Sequence, residues 1–225
     1  MPGCSLSPIL PVNGHQEVRV DGRKWRQVHA PVRPTSASAL TAHNIWIVGP
    51  TTARFTTFPS SYEAADWTGR SWRTLKLPHA RVPKGMYAAS PRILAVGPAD
   101  IWIEFDLFSK SAKGPASRTL LHYDTGHWTQ VSVPRGSVFL SSNLATDGTG
   151  GLWLALAFHQ SFGSEVYDYR NGRWSKAAVL AKPGRYTMIG SIERVPGSLR
   201  AWAGGWAGHT TGDPRTDGVL YEHRQ

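Results

Sequence analysis

A hairpin that carries a tryptophan just beyond its turn recurs along the chain, and this repeat limits the possible folds more than any other feature. Each copy has a glycine two or three residues before its tryptophan, as Gly126 stands before Trp128. Asp-Gly and Asn-Gly dipeptides supply the positive φ angles that tight hairpin turns require. The pattern therefore predicts four β-hairpins, at residues 17–28, 62–77, 119–133 and 164–179.

Between these hairpins lies a second motif, an apolar strand followed by a short turn and a strand with its own tryptophan. These tryptophans recur every 49 to 56 residues, at Trp46, Trp102, Trp153 and Trp202. No segment has a helical period, and the apolar runs are short and rich in β-branched and aromatic residues. Four strands per repeat predict an all-β fold: a β-propeller of about four four-stranded blades, with the repeated tryptophans packed between blades.

The sequence leaves two forms of this propeller open. In a small closed ring, residues 26–28 supply the fourth strand after residues 219–223, although residues 17–20 then duplicate one strand. In the alternative, the chain is an open fragment of a larger propeller, with exposed strand edges.

The repeats are expected to fill residues 15–225, and residues 1–14, which are rich in Pro, Ser and Gly, to form an N-terminal linker. Met1 to Cys4, followed by Ser5, resembles the end of a bacterial lipobox. If the natural start lies upstream, Cys4 is the lipidation site and the only membrane attachment. The alternative is a free cysteine in a frayed terminus. We expect an extracellular or lipid-anchored cell-surface protein, with a cytoplasmic location as the alternative.

The composition argues against several classes of function. The net charge is +10, but the basic residues are scattered, so we expect a solvated basic surface and no nucleic-acid partner. The single cysteine excludes an intrachain disulfide and a thiolate zinc site. No phosphate-binding glycine loop, Gly-x-Ser-x-Gly elbow or metal-ligand cluster is present. We therefore expect no cofactor, no metal and no catalytic activity.

One stretch of the repeat resembles kelch-type and related bacterial propeller repeats. It consists of Ile101 and Trp102, then Tyr123 and Asp124, with Gly126 and Trp128 after the turn. The resemblance spans residues 16–225 and implies a β-propeller, while implying little about function. The paired glycines that end the second kelch strand occur here only as Gly204 and Gly205. The segment TDGTGGLW also resembles the Asp-box of sialidase-like propellers, but its glycine spacing differs, and no sialidase residue is carried over.

Long loops between the predicted strands are expected to gather on one face of the propeller, where binding residues collect. The candidates there are aromatic and basic, with Trp206 first among them because it lies outside the repeated positions. The full set is Arg54, Phe58, Tyr87, Phe108, Lys110, His159, Phe162, Trp206, His209 and Arg215.

These candidates predict a non-catalytic scaffold that presents its loop-rich face to a protein, peptide or glycan. The alternative function is a carbohydrate-active hydrolase or lyase with loop carboxylates at the channel mouth, namely Glu104, Asp106 or Asp213. For Glu104 and Asp106, a solvated strand end is the plainer interpretation. The sequence does not define an oligomeric state.

Overall fold

The computed structural model describes residues 17–21, 24–51, 61–78, 84–109, 115–134, 138–158, 163–181, 185–209 and 216–223. Within these ranges the chain is all-β and contains no helix, as predicted. The first strands are β1 (Glu17–Asp21), β2 (Lys24–Val28), β3 (Ser36–Thr41), β4 (Asn44–Pro50), β5 (Tyr62–Trp67), β6 (Trp72–Lys76), β7 (Met86–Gly97) and β8 (Asp100–Ser109). They are followed by β9 (Pro115–Asp124), β10 (His127–Val131), β11 (Val138–Thr146), β12 (Leu152–Phe158), β13 (Gly163–Arg170), β14 (Arg173–Ala181), β15 (Arg185–Arg194), β16 (Ala201–His209) and β17 (Thr216–His223).

Strands that follow one another in sequence are neighbours in every sheet. Strands β3–β6, β7–β10 and β11–β14 form three four-stranded sheets, β15–β17 form a three-stranded sheet, and β1–β2 form a two-stranded sheet. This up-and-down order is the one that a repeat of four sequential strands requires.

Two of the predicted hairpin turns are confirmed by their backbone angles. Thr125 and Gly126 both have positive φ (46° and 97°), as do Asn171 and Gly172 (51° and 76°). Two successive residues with positive φ define the type I′ turn, whose twist matches that of the strands it joins. The two residues of each turn therefore determine its geometry without help from distant parts of the chain.

The chain divides into two compact units. The first comprises Met1–Arg81, Ala89–Phe105 and Leu121–Thr129. Its described core includes Ala30, Val32, Ile47 and Ala65, with Trp72 packed against them. Strands β3 and β7 are joined here through side chains, because Ser36 Oγ accepts from the Ile93 amide at 3.1 Å and Ser38 Oγ from the Ala95 amide at 3.0 Å.

The second unit comprises Val82–Ala88, Asp106–Leu120 and Gln130–Gln225. Its core is built on Trp153 and on small and branched residues of strands β11, β12, β13, β15 and β16. Ser164 Oγ both donates to the Thr187 carbonyl at 3.0 Å and accepts from the Ile189 amide at 3.1 Å. The same type of side-chain joint therefore occurs in both units.

A carboxylate stands opposite the second-strand tryptophan in three sheets. The register pairs Trp46 with Asp66, Trp153 with Asp168, and Trp202 with Glu222. Each carboxylate also pairs with a guanidinium group, supplied by Arg73, Arg170 or Arg200 respectively. In the sheet of β7–β10 a histidine stacks on the tryptophan instead: the rings of His122 and Trp102 are 3.9 Å apart, and His122 Nε2 lies 2.8 Å from Asp100.

The predicted burial of the repeated tryptophans is confirmed at three second-strand positions and wrong at the fourth. Trp46, Trp102 and Trp153 are at most 4% exposed, whereas Trp202 is 37% exposed. The fourth-strand tryptophans Trp72, Trp128 and Trp174 are half-buried, and each packs on an aromatic ring of the preceding strand. The interpretation of Glu104 and Asp106 as solvated is wrong: they are 2% and 9% exposed.

Candidate functional site

Most of the predicted binding residues lie outside the described part of the chain. These are Arg54, Phe58, Lys110, His159, Phe162 and Arg215. The lipidation candidate Cys4 and Asp213, a carboxylate of the alternative function, also lie outside the described residues. The backbone of His209 is described as the last residue of β16, but its side chain is not. Three candidates remain with described side chains, namely Tyr87, Phe108 and Trp206.

The predicted loop location of these residues is wrong. Strand β7 begins at Met86, β8 continues to Ser109 and β16 continues to His209, so Tyr87, Phe108, Trp206 and His209 are strand residues. The strands are longer than the apolar patterns indicated, because the polar and glycine residues at their ends still pair with a neighbour. Rigid strand ends hold side chains in better-defined positions than loops do.

Tyr87 and Phe108 are brought together by the structure. Their rings are stacked, with centroids 5.4 Å apart and an interplanar angle of 9°. Asp106, two residues before Phe108 and therefore on the same side of β8, accepts a hydrogen bond from Arg118 Nε at 2.9 Å. The Arg118 side chain is fully buried and that of Asp106 is 12% exposed. An aromatic pair beside a buried ion pair thus marks one end of this sheet.

Trp206 contacts a residue that the sequence did not single out. Its ring lies 5.1 Å from that of Tyr186, at an interplanar angle of 86°. Tyr186 is the second residue of β15 and pairs with Gly208, while Trp206 pairs with Met188 on β15 and with Gly218 on β17. We call Tyr186 and Trp206 the aromatic corner. Tyr186 was missed because its importance depends on strand register, which local sequence patterns do not reveal.

Two glycines adjoin the aromatic corner, and one is covered by a ring while the other is open. A Cβ added to Gly208 would lie 2.3 Å from the Tyr186 phenol, so this ring lies directly over the glycine. A Cβ added to Gly218, which pairs with Trp206, would meet nothing within 4 Å. Tyr186 is 37% exposed and Trp206 is half-buried. The corner therefore combines two perpendicular rings with one uncovered backbone position, at Gly218.

Other polar clusters within the second unit have structural partners. Asp147, which is fully buried, accepts hydrogen bonds from the Thr149 amide at 2.7 Å and the Gly151 amide at 2.8 Å. Burial alone would raise the pKa of Asp147, but these hydrogen bonds and the nearby Arg170 lower it below its usual value. The loop that resembles an Asp-box is thus held together by its own aspartate.

Glu165 forms a cluster with Tyr167 and Lys176, both of which donate to its carboxylate. Burial and the hydrogen bond to Glu165 raise the pKa of Tyr167 to about 12, so the phenol remains protonated near neutral pH. Burial opposes ionisation of Glu165, but donation from Lys176 and Tyr167 lowers its pKa overall. Such a group is suited to holding two strands together.

The described residues lack two features that would point to other functions. No group of three or more His, Cys, Asp or Glu side chains is placed to hold a metal ion within these ranges. The same part of the chain has no helix with the length and apolar character needed to cross a membrane.

No protein-family model matches the chain, and no curated protein matches it in sequence. Among solved structures, it is similar to the fucose-specific lectin of Aleuria aurantia. A variant of that lectin bound to α-methyl-L-fucoside aligns with a TM-score of 0.51 and 14% identity, over 79% of this chain and 53% of the lectin chain. A mercury derivative aligns with a TM-score of 0.50 and 13% identity, over 83% and 56% of the two chains.

An exo-β-1,3-galactanase from Clostridium thermocellum also aligns, with a TM-score of 0.48 and 10% identity over 78% of this chain and 42% of that one. This third likeness is too weak to argue from. The chain spans about half the length of the lectin chains that it matches.

At such identities the likeness to the lectin shows the fold alone. The chain is a β-propeller in which four of the antiparallel sheets, β3–β6, β7–β10, β11–β14 and β15–β17, form the four blades, as the sequence predicted. The resemblance to kelch-type repeats is not confirmed and remains an interpretation of the sequence.

Proposed function

We propose that the protein is a non-catalytic glycan-binding propeller and that the aromatic corner binds a sugar ring. The main support is the perpendicular arrangement of the Tyr186 and Trp206 rings. The Tyr186 ring lies over Gly208, and Trp206 lies beside the open position at Gly218. One face of a pyranose ring presents C–H groups, which pack against an aromatic ring and release water from both surfaces. The second ring closes the corner and limits how the sugar can turn.

The propeller fold supports this proposal, because a structure with the same fold is a lectin in complex with a fucoside. Thr216 lies next to the aromatic corner, because this first residue of β17 pairs with Gly208 on β16. Its side chain is polar and exposed. It offers a hydroxyl group that both donates and accepts hydrogen bonds, as a sugar hydroxyl requires.

The catalytic alternative finds less support. Asp106 is already paired with the buried Arg118, and Glu104 is only 2% exposed in β8. A general acid must reach the glycosidic oxygen and a base must reach water, which requires accessible carboxylates. We expect no release of nitrophenol from nitrophenyl glycosides, and sustained turnover that is lost in Asp106→Asn would favour the hydrolase instead.

The binding proposal is tested with a glycan array, followed by calorimetry with methyl glycosides of fucose, galactose, mannose and N-acetylglucosamine. Loss of about 50 Å² of buried apolar surface in Trp206→Ala removes about 1.3 kcal/mol at ~25 cal/mol/Å². That loss weakens binding about tenfold. Leu199→Ala is the matched control, because it removes a side chain that is 40% exposed in the turn before β16. Unchanged affinity in Trp206→Ala, with its fold intact, would contradict the proposal.

A further inference from the structure

We infer that the aromatic corner is one end of a longer sugar-binding strip, and that the preferred ligand is a linear oligosaccharide. This inference rests on the proposed function and adds to it the length of the ligand. Its starting point is Trp202, the one second-strand tryptophan among the described repeats that is not buried.

Trp202, Gly204 and Trp206 alternate along β16, so their side-chain positions lie on one face of the sheet. A Cβ added to Gly204 would be 3.6 Å from Ser191 Oγ and 3.9 Å from Leu220, which places these two residues on the same face. The two indoles are therefore separated by a glycine floor. Leu220 is 67% exposed beside it and Trp202 is 37% exposed, so this part of the face is accessible to solvent.

The spacing of the two tryptophans sets the size of the ligand. Four residues along a strand at ~3.3 Å each span about 13 Å, which about three linked pyranose rings cover and one ring does not. A chain that stacks one ring in the corner places a later ring over Trp202. The corner alone would therefore bind a monosaccharide, and the whole strip would bind the oligosaccharide more tightly.

Polar groups border the far end of the strip. Trp202 pairs with Glu193 on β15 and with Glu222 on β17, and Glu222 accepts from Arg200. Glu193 thus lies on one side of the indole, and Glu222 with Arg200 lies on the other. Carboxylates accept hydrogen bonds from sugar hydroxyl groups and a guanidinium donates to them. An apolar protein surface would instead leave these charges without water, at a cost in binding free energy. We therefore assign the strip to an oligosaccharide and make a second copy of this chain an outcome of the test.

The test measures affinity against ligand length. Calorimetry is run with cello-, xylo- and mannooligosaccharides of increasing length and with the corresponding methyl glycosides. In the series that binds, affinity is expected to rise about tenfold up to the trisaccharide and then level off. Trp202→Ala is expected to remove that gain, Trp202→Phe to keep part of it, and Leu199→Ala to keep all of it. Circular dichroism and thermal unfolding confirm that each variant is folded.

Three results would overturn the inference. The first is an affinity that does not change with ligand length, and the second is a length dependence that survives in Trp202→Ala. The third is that Trp202→Ala converts an oligomer into a monomer, as measured by size-exclusion chromatography with light scattering. The proposed function fails separately, when no sugar of any length binds or when Trp206→Ala has no effect.

Discussion

The fully buried carboxylate of Asp147 provides the sharpest test of how this chain is held together. It accepts two hydrogen bonds from Thr149 and one from the Gly151 amide, and it forms an ion pair with Arg170. All four distances are 2.7–2.8 Å. We predict that Asp147→Ala leaves these donors facing an empty site. Loss of the three hydrogen bonds, at roughly 1–1.5 kcal/mol each, costs about 3–5 kcal/mol, whereas the Arg170 side chain is 42% exposed and regains water.

The assay is thermal and urea unfolding at pH 7. At ~2–4 °C per kcal/mol for a chain of this size, the expected fall in Tm is about 6–20 °C. Asp147→Asn keeps the shape and one acceptor oxygen, so a smaller loss is expected. The control is Asp124→Ala, at an exposed hairpin end, which should change stability by less than about 0.5 kcal/mol.

The pH dependence follows from the direction of the pKa shift. Burial opposes ionisation of Asp147, but hydrogen bonds from Thr149 and Gly151 and the charge of Arg170 lower its pKa in the folded state. Its stabilisation is therefore complete above the unfolded pKa of about 3.9 and is lost as the pH falls through the folded pKa. The difference between the native protein and Asp147→Ala should shrink below about pH 4. A difference of less than about 2 °C at pH 7 would refute the reasoning.

Three further predictions concern a buried ion pair, ligand access and an exposed side chain. Arg118→Leu should cost about 3–5 kcal/mol in urea unfolding because it isolates the buried Asp106 carboxylate, and changing both residues to Leu should recover most of that loss; no recovery would argue against it. Gly208→Ala should displace the phenol ring over it and weaken methyl glycoside binding about threefold or more, whereas the control Leu199→Ala should not; equal effects in calorimetry would contradict this. Leu220→Thr should lower Tm by less than about 2 °C, since its side chain is 67% exposed and little of it is buried on folding; a larger fall in thermal unfolding would count against it.

The fold could be predicted from the sequence because its strongest signals are local. Turn pairs such as Thr125-Gly126 and Asn171-Gly172 fix the hairpins through backbone angles that few residues adopt. The recurring tryptophans then gave the period of the sheets. These signals depend on neighbours a few residues apart, so no knowledge of the tertiary structure was needed.

The candidate site was only partly predictable, because it depends on register between strands. Trp206 was singled out for standing outside the repeat, but its partner Tyr186 is twenty residues away and follows no motif. Glu104 and Asp106 looked like a polar strand end, because a buried cation such as Arg118, twelve residues beyond Asp106, cannot be recognised from spacing. Trp202 and Trp46 occupy the same position in the sequence repeat, but they are 37% and 0% exposed. That difference depends on tertiary packing, which the repeat does not reveal.

The serine hydrogen bonds between sheets allow the separation of neighbouring sheets to be measured by hydrogen exchange. Ser36 and Ser38 accept from the amides of Ile93 and Ala95, and Ser164 from the amide of Ile189. Because these protons are bonded to a neighbouring sheet, their hydrogen exchange should report the opening of one sheet from the next. Three amide resonances would thus measure how tightly adjacent sheets adhere, independently of whether each sheet remains folded.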